Sequence, residues 1–543
     1  MTGRTADGGY RIFAIGDINA FFGLMLDNMS DLVIMAAILM GAFHMPREVV
    51  LYRMIPGSAV GVLVGDLLYT WLAVRLARRT GNRHVTAMPL GLDTPSTFGI
   101  AFGIIGPLYL ATKDALFTWQ AAMATVVLMG LFKIGASFCG PALRRAVPRA
   151  GLLGSIAAVA LLLIAYLPIL RLFSSPVVGF LSLGVVLAAL VAKVRLPFRL
   201  PGAFAGILLG TAAHYLLGSA GLLPAGEALQ LHLPELRFAL PLPTLAFLPG
   251  LAKALTFLPL AIPFALATVV GGVDVTESAA AAGDDYGTRD ILLVEGVATL
   301  LAGLCGGVIQ SCPYIGHPAY KDMGGRAGYT LATALFIGLG GMLGYLSFFV
   351  DLLPPAAVAP ILVFIGIEIL AQAFEATPRR HYKAIALAFL PVVACLVQIE
   401  FGLLLGNLGK SVADLTGDTA AGYRATQLLG NGFIVTSLLW GGGFAALLDH
   451  RLRRAALFMT VCAAATLCGA IHSPLPSGAM FLPWAAPDPV VFHLAAGYAV
   501  LALLFFLLSS GTASPIVSAD GEGESGSSRT HRDNNLTYRS GTQ

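Results

Sequence analysis

The chain has 543 residues, of which 57% are hydrophobic and only 11% charged, with a formal net charge of +4. A soluble domain carries about 25% charged residues, so this composition excludes an ordinary globular protein. The small, scattered positive excess also excludes a nucleic-acid binder, which would need a basic stripe.

Apolar runs of roughly 20 residues, the length that crosses a bilayer core, recur from end to end. Residues 1–16 are polar and the first apolar span is too long for a signal-peptide core, so no cleavable leader is expected. Helices are expected near 18–42, 50–76, 115–138, 151–172, 175–194 and 201–218, with a broken segment at 86–110. A loop at 219–251 leads to a second set near 252–282, 290–308, 327–351, 356–374 and 383–407, with its own break at 309–323. Further apolar segments follow near 425–447, 455–473 and 489–509, and the polar, Ser/Gly-rich stretch 512–543 reads as a disordered cytoplasmic tail. The reading is an all-α polytopic membrane protein of fourteen, up to sixteen, segments. Its parts are a cytoplasmic N-terminus (1–17), a first repeat (18–218), an external loop, a second repeat (252–450) and additional C-terminal segments (451–511).

Basic residues orient the spans. Arg75, Arg78, Arg79 and Arg83 follow the second span, Arg144, Arg145 and Arg149 the fourth, and Lys193, Arg195 and Arg199 the sixth; Arg379, Arg380 and Lys383 precede the thirteenth. The loop near 219–250 has one Arg, two Glu and no Lys. Positive loops stay cytoplasmic, which puts both termini inside and inverts the second seven-segment repeat relative to the first.

The two breaks are the most telling feature. Thr86-Ala-Met-Pro-Leu-Gly-Leu-Asp-Thr-Pro-Ser96 and Gln310-Ser-Cys-Pro-Tyr-Ile-Gly-His-Pro-Ala-Tyr320 each set Pro, Gly and one ionisable residue (Asp93, His317) where a span would otherwise continue. Proline removes a backbone donor and glycine loosens a helix. In lipid such backbone survives only when buried in protein or lining a polar cavity. A matched pair, one per half, points to a transporter binding site.

Ionisable groups inside spans are functional candidates by default. Asp27-Asn28-Met-Ser-Asp31 places two acids one turn apart on the first span, and Asp274 and Glu277 share a face of the eighth. Glu295 lies in the next span, and Thr94 and Tyr314 sit within the breaks. Asp66, Glu368 and Glu400 read as helix-pairing or interfacial residues, and Trp440-Gly-Gly-Gly-Phe444 as close helix packing. The six cysteines lack metal-ligand spacing. No nucleophile–base pair or nucleotide motif stands out, so neither an enzyme nor a cofactor or metal site is expected. A buried carboxylate or His titrates nearer neutral pH than in water, which would link proton uptake to solute binding.

Residues 252–330, with Glu295-Gly-Val-Ala-Thr-Leu-Leu-Ala-Gly-Leu-Cys-Gly306, and Met88-Pro-Leu-Gly-Leu-Asp-Thr-Pro95 resemble the nucleobase–ascorbate transporter superfamily, in particular its xanthine/uracil and guanine/hypoxanthine permeases. The resemblance implies fourteen spans in two inverted repeats, arranged as a core (1–4 and 8–11) and a gate (5–7 and 12–14). It also implies a bacterial inner-membrane location and a homodimer. The family's acid in the eighth span falls on Thr268, and its acid in the tenth near His317. The resulting expectation is a secondary active permease for a small planar solute, a purine or pyrimidine base, symported with protons or another cation. Its solute site would comprise Asp27, Asn28, Asp93, Thr94, Thr268, Asp274, Glu277, Tyr314 and His317, with Asp274, Glu277, Glu295 and His317 carrying protons. The alternative is an anion carrier of the sulfate/bicarbonate type.

Overall fold

The computed structural model describes residues 10–510 except 141, 143–148, 195, 198–199, 201, 224–236, 315, 409, 411 and 477. The expected tail at 512–543, Arg144, Arg145, Arg195 and Arg199 lie outside the described residues.

The chain folds as helices in the expected order. The first half comprises α1 (Gly16–Ala42), α2 (Arg47–Thr80), α3 (Thr94–Thr112), α4 (Ala115–Ala136), α5 (Ala150–Ser174), α6 (Pro176–Leu190) and α7 (Gly202–Ser219). The second comprises α8 (Leu258–Ala281), α9 (Thr288–Leu304), α10 (His317–Asp322), α11 (Gly328–Leu343), α12 (Pro355–Glu375), α13 (Arg379–Leu405) and α14, a pair (Gly417–Gly430 and Phe433–Leu448) bent by 70°. Two further helices follow, α15 (Leu452–Leu467) and α16 (Val490–Ser510). Among the described residues, ten helices are long and apolar enough to cross a membrane, or eleven with the bent pair. The others fall short for local reasons: α9 is 17 residues long with Glu295 inside it, and α10 is the remnant beyond a break.

Proline and glycine act as anticipated in both broken segments. Before α3 the backbone extends as β1 (Leu90–Leu92), and before α10 as β2 (Ser311–Pro313). The strands pair antiparallel, with Leu90 opposite Pro313, Gly91 opposite Cys312 and Leu92 opposite Ser311. Equivalent segments of the two halves thus run in opposite directions, as an inverted repeat requires. Helices α1–α4 and α8–α11 pack chiefly with one another, and α5–α7 with α12–α14, giving core and gate bodies.

Close backbone approach holds the core. A Cβ on Gly130 of α4 would lie 2.6 Å from the Leu300 nitrogen of α9, and one on Gly296 would lie 2.8 Å from that of Ile134. Without a hydrophobic drive between helices in lipid, small residues at such crossings let dispersion contacts do the work. In the gate, Gly441 of the glycine run lies against Gly151 of α5.

Candidate functional site

A two-stranded ribbon has two open edges, and inside a membrane each unpaired backbone group there costs several kcal/mol. Four helices close these edges with side chains. On β1, Asp66 Oδ1 accepts the Leu90 N–H at 3.1 Å and Asn28 Oδ1 accepts that of Leu92 at 3.0 Å. On β2, Thr299 Oγ1 accepts the Ser311 N–H at 3.1 Å, and Lys133 Nζ donates to the Ser311 carbonyl at 2.7 Å. The ladder continues at both ends, from Asp93 N to Gln310 O at 3.0 Å and from Tyr314 N to Pro89 O at 2.9 Å. Asn28, Asp66, Lys133 and Thr299 are all fully buried.

Charge gathers around this ribbon. Asp93 caps α3, accepting from Ser96 N at 3.0 Å and from Gln310 Nε2 at 2.9 Å. Asp31 of α1 accepts from the Thr94 hydroxyl at 3.1 Å. Asp27, one turn earlier, lies beside the Tyr314 hydroxyl and leaves its buried Oδ2 without a hydrogen-bond partner. The Tyr314 ring lies against Gly91, where a Cβ would come 2.5 Å from its Cε2. Behind β2, Lys133 and Glu295 form an ion pair at 2.9 Å with neither side chain exposed. Cys312, midway along β2, lies within electrostatic reach of Asp31, Asp93, Lys133 and Glu295. Five carboxylates (Asp27, Asp31, Asp66, Asp93 and Glu295) and one ammonium therefore surround six residues of extended backbone.

His317 occupies a second cluster. It is fully buried at the start of α10, with Nε2 3.2 Å from the Thr86 carbonyl oxygen and 3.3 Å from Asp284 Oδ2. Asp284 Oδ2 also accepts from Thr86 N at 3.0 Å and from Lys321 Nζ at 2.7 Å. Burial opposes ionisation of Asp284, but the hydrogen bonds from His317 and Lys321 outweigh it and hold the carboxyl below the usual range. This cluster staples the entry of β1 to α10 and to the loop after α8.

Asp27, Asn28, Asp93, Thr94 and Tyr314 thus meet at the ribbon. Thr268 is buried one turn before Gly272, where a Cβ would lie 3.2 Å from Glu295 Oε2 and 3.3 Å from Pro313. Asp274 and Glu277 are exposed on α8. At about 100° per residue they lie on the side of α8 opposite Gly272, turned away from β2.

No family model matches the sequence, and no curated protein matches it. Several solved structures are similar to it over much of its length. One is the transmembrane domain of a cyanobacterium bicarbonate transporter, BicA, at 17% identity and TM-score 0.46, covering 72% of this chain and 96% of that one. A second is the overall structure of SLC26A9, at 13% identity and TM-score 0.48, covering 73% of this chain and 66% of that one. A third is murine Slc26a9, described as an anion transporter in the inward-facing state, at 13% and 0.48, covering 75% and 70%.

These findings correct the resemblance to the nucleobase–ascorbate transporter superfamily. The motifs that suggested it are short runs of Pro, Gly and one ionisable residue. Any inverted pair of broken spans needs such residues, whatever its solute. What stands is an integral membrane protein with a multi-span core-and-gate architecture.

Lys133, Thr299 and Asp284 escaped the sequence reading; Thr299 is an ordinary polar residue of an apolar helix, with no local signal. Lys133 is an intramembrane charge in an apolar span, the same signal that singled out Glu295. Asp284 sits in a short polar loop, Gly283-Asp-Asp-Tyr286, where nothing local separates it from Asp285.

Proposed function

We propose that this chain is a secondary transporter that carries a small anion together with protons past the β1–β2 ribbon, by rocking of the core against the gate. The observation that carries the reading is the ribbon itself: two broken spans, one from each half, meet with the buried Asp31 and the half-buried Asp27 of α1 alongside. Discontinuous spans at a repeat interface are how transporters build a midplane site.

The charges suggest the solute class. Asp27, Asp31, Asp66, Asp93 and Glu295 against Lys133 leave four negative charges in excess when all are ionised. An anion can enter only once protons have neutralised most of them, and protonating Glu295 would uncover the Lys133 ammonium beside β2. The N-terminus of α3 lies at the same place and is capped by Asp93. Proton uptake and anion binding are thereby linked, which makes the cycle a symport.

Purified protein in proteoliposomes tests this. Uptake of labelled sulfate, formate, chloride and bicarbonate would be followed under an inward proton gradient, with uracil and xanthine in parallel. Gradient-driven uptake of one anion is the expected result. Uptake of a base, or anion uptake indifferent to the gradient, would overturn the reading.

A further inference from the structure

The last two helices lie beyond the two seven-segment repeats and form a site of their own. Helix α15 packs on α14, and α16 packs on α15 from outside. Only 17% of the apolar window of α16 is buried, and Val500, Leu503, Leu504, Phe506 and Leu507 are exposed along it. Between α15 and α16 lies a groove of about 410 Å³, walled by Leu457, Leu503 and Phe506, floored by alanines such as Ala456 and Ala502, and headed by Arg453. The volume falls in the range of small-molecule sites.

The groove has a direction. Arg453 stands one residue into α15, flanked by Arg451 and Arg454, all three exposed. Among the described residues, Arg453 and Arg454 have no carboxylate partner. From Arg453 the lining runs to Ala463, about 15 Å along the helix axis at 1.5 Å per residue. That is half of the ~30 Å hydrocarbon core. The site is therefore cationic at the membrane surface and apolar down to mid-bilayer.

We infer that this groove binds one anionic phospholipid of the leaflet facing the Arg451–Arg454 cluster, with its phosphate on Arg453 and an acyl chain between α15 and α16. The match is of charge at one end and of length along the rest. A neutral lipid would satisfy the walls but not the arginines; a soluble anion would satisfy the arginines and leave the walls to bulk lipid. The inference is independent of the transported solute.

The test uses the full chain in detergent, titrated with phosphatidylglycerol, phosphatidylcholine or inorganic phosphate while thermal stability and retained lipid (by native mass spectrometry) are followed. A lipid that prefers the folded state raises the apparent melting temperature by mass action. Phosphatidylglycerol is expected to stabilise and to be retained in preference to phosphatidylcholine, with no response to phosphate alone. Arg453→Ala should cut the preference about fivefold, the effect of one arginine at a lipid surface. Ala499→Trp, at an exposed lining position, should block retention of either lipid while the protein remains folded. Equal stabilisation by both lipids, or an unchanged preference in Arg453→Ala, would overturn the inference. So would a change in oligomeric state in Ala499→Trp without loss of lipid, which would assign the groove to a second copy of the chain.

Discussion

Lys133 of α4 reaches across to the Ser311 carbonyl of β2 at 2.7 Å while pairing with Glu295 of α9 at 2.9 Å. One side chain thus both closes a strand edge and neutralises a buried acid. Removing it leaves two uncompensated groups in a place that water does not reach.

Lys133→Met should therefore be severely destabilising. Breaking a buried pair by deleting one partner costs about 3–5 kcal/mol. Lys133→Met with Glu295→Gln should recover part of that loss, because the orphan charge goes while the unpaired carbonyl stays. Thermal unfolding of the purified variants would show this order. A single variant as stable as the parent would mean that the pair contributes nothing to holding the ribbon.

Asp66 offers a test of the strand edge without a counter-charge. Its Oδ1 is the partner of the Leu90 N–H. Asp66→Asn keeps an acceptor oxygen and should be tolerated, whereas Asp66→Leu strands the donor and should cost about 1–3 kcal/mol. If the two behave alike in denaturation, the residue acts by charge and not by closing the edge.

Asp284 sets an acid limit. Its native carboxyl is held below the ordinary value of 3.8, while the unfolded chain titrates at that value. Stability from a depressed carboxylate is present above the unfolded pKa and is lost as pH falls through the native one. Asp284→Asn should then be less stable than the parent at pH 7, and the gap should narrow below about pH 4. Melting temperatures of both proteins between pH 3 and pH 7 would decide it, and a gap that stays constant would exclude the linkage.

Asp27 and Asp31 should separate coupling from folding. Asp27 has a buried oxygen with no hydrogen-bond partner, and Asp31 is engaged by Thr94. Asp27→Asn should leave the fold intact and abolish the response of solute uptake to an imposed proton gradient, with counterflow exchange retained. Asp31→Asn should weaken both. An Asp27→Asn protein still driven by the gradient would move proton coupling to another group.

The sequence made the breaks legible because proline and glycine act locally: Pro89 precedes β1, Pro313 ends β2, and Pro95 and Pro318 open the helices beyond. It pointed to Asp27, Asp31 and Asp93 because charge in an apolar span stands out against its neighbours. It could not reveal that Asn28 and Asp66 serve β1, since their backbone partners lie 64 and 24 residues away. Asp274 and Glu277 carried the same intramembrane signal, but a helix has two sides, and only packing shows which one meets β2. The solute family was misread for a related reason: the motif encodes a bend, and a bend does not name what passes through it.

The pairing of β1 with β2 also bears on how the protein is made. Gln310, which extends the ladder to Asp93, is synthesised 217 residues after it. Until then one edge of β1 has no strand to meet, since among the described residues of the first half β1 is the only strand. The earlier half must wait in the translocon's neighbourhood, incomplete, for its counterpart to emerge. Truncation anywhere before Ser311 should therefore yield a chain that inserts but is recognised as unfinished, and a split between the halves should be rescued only by co-expressing both.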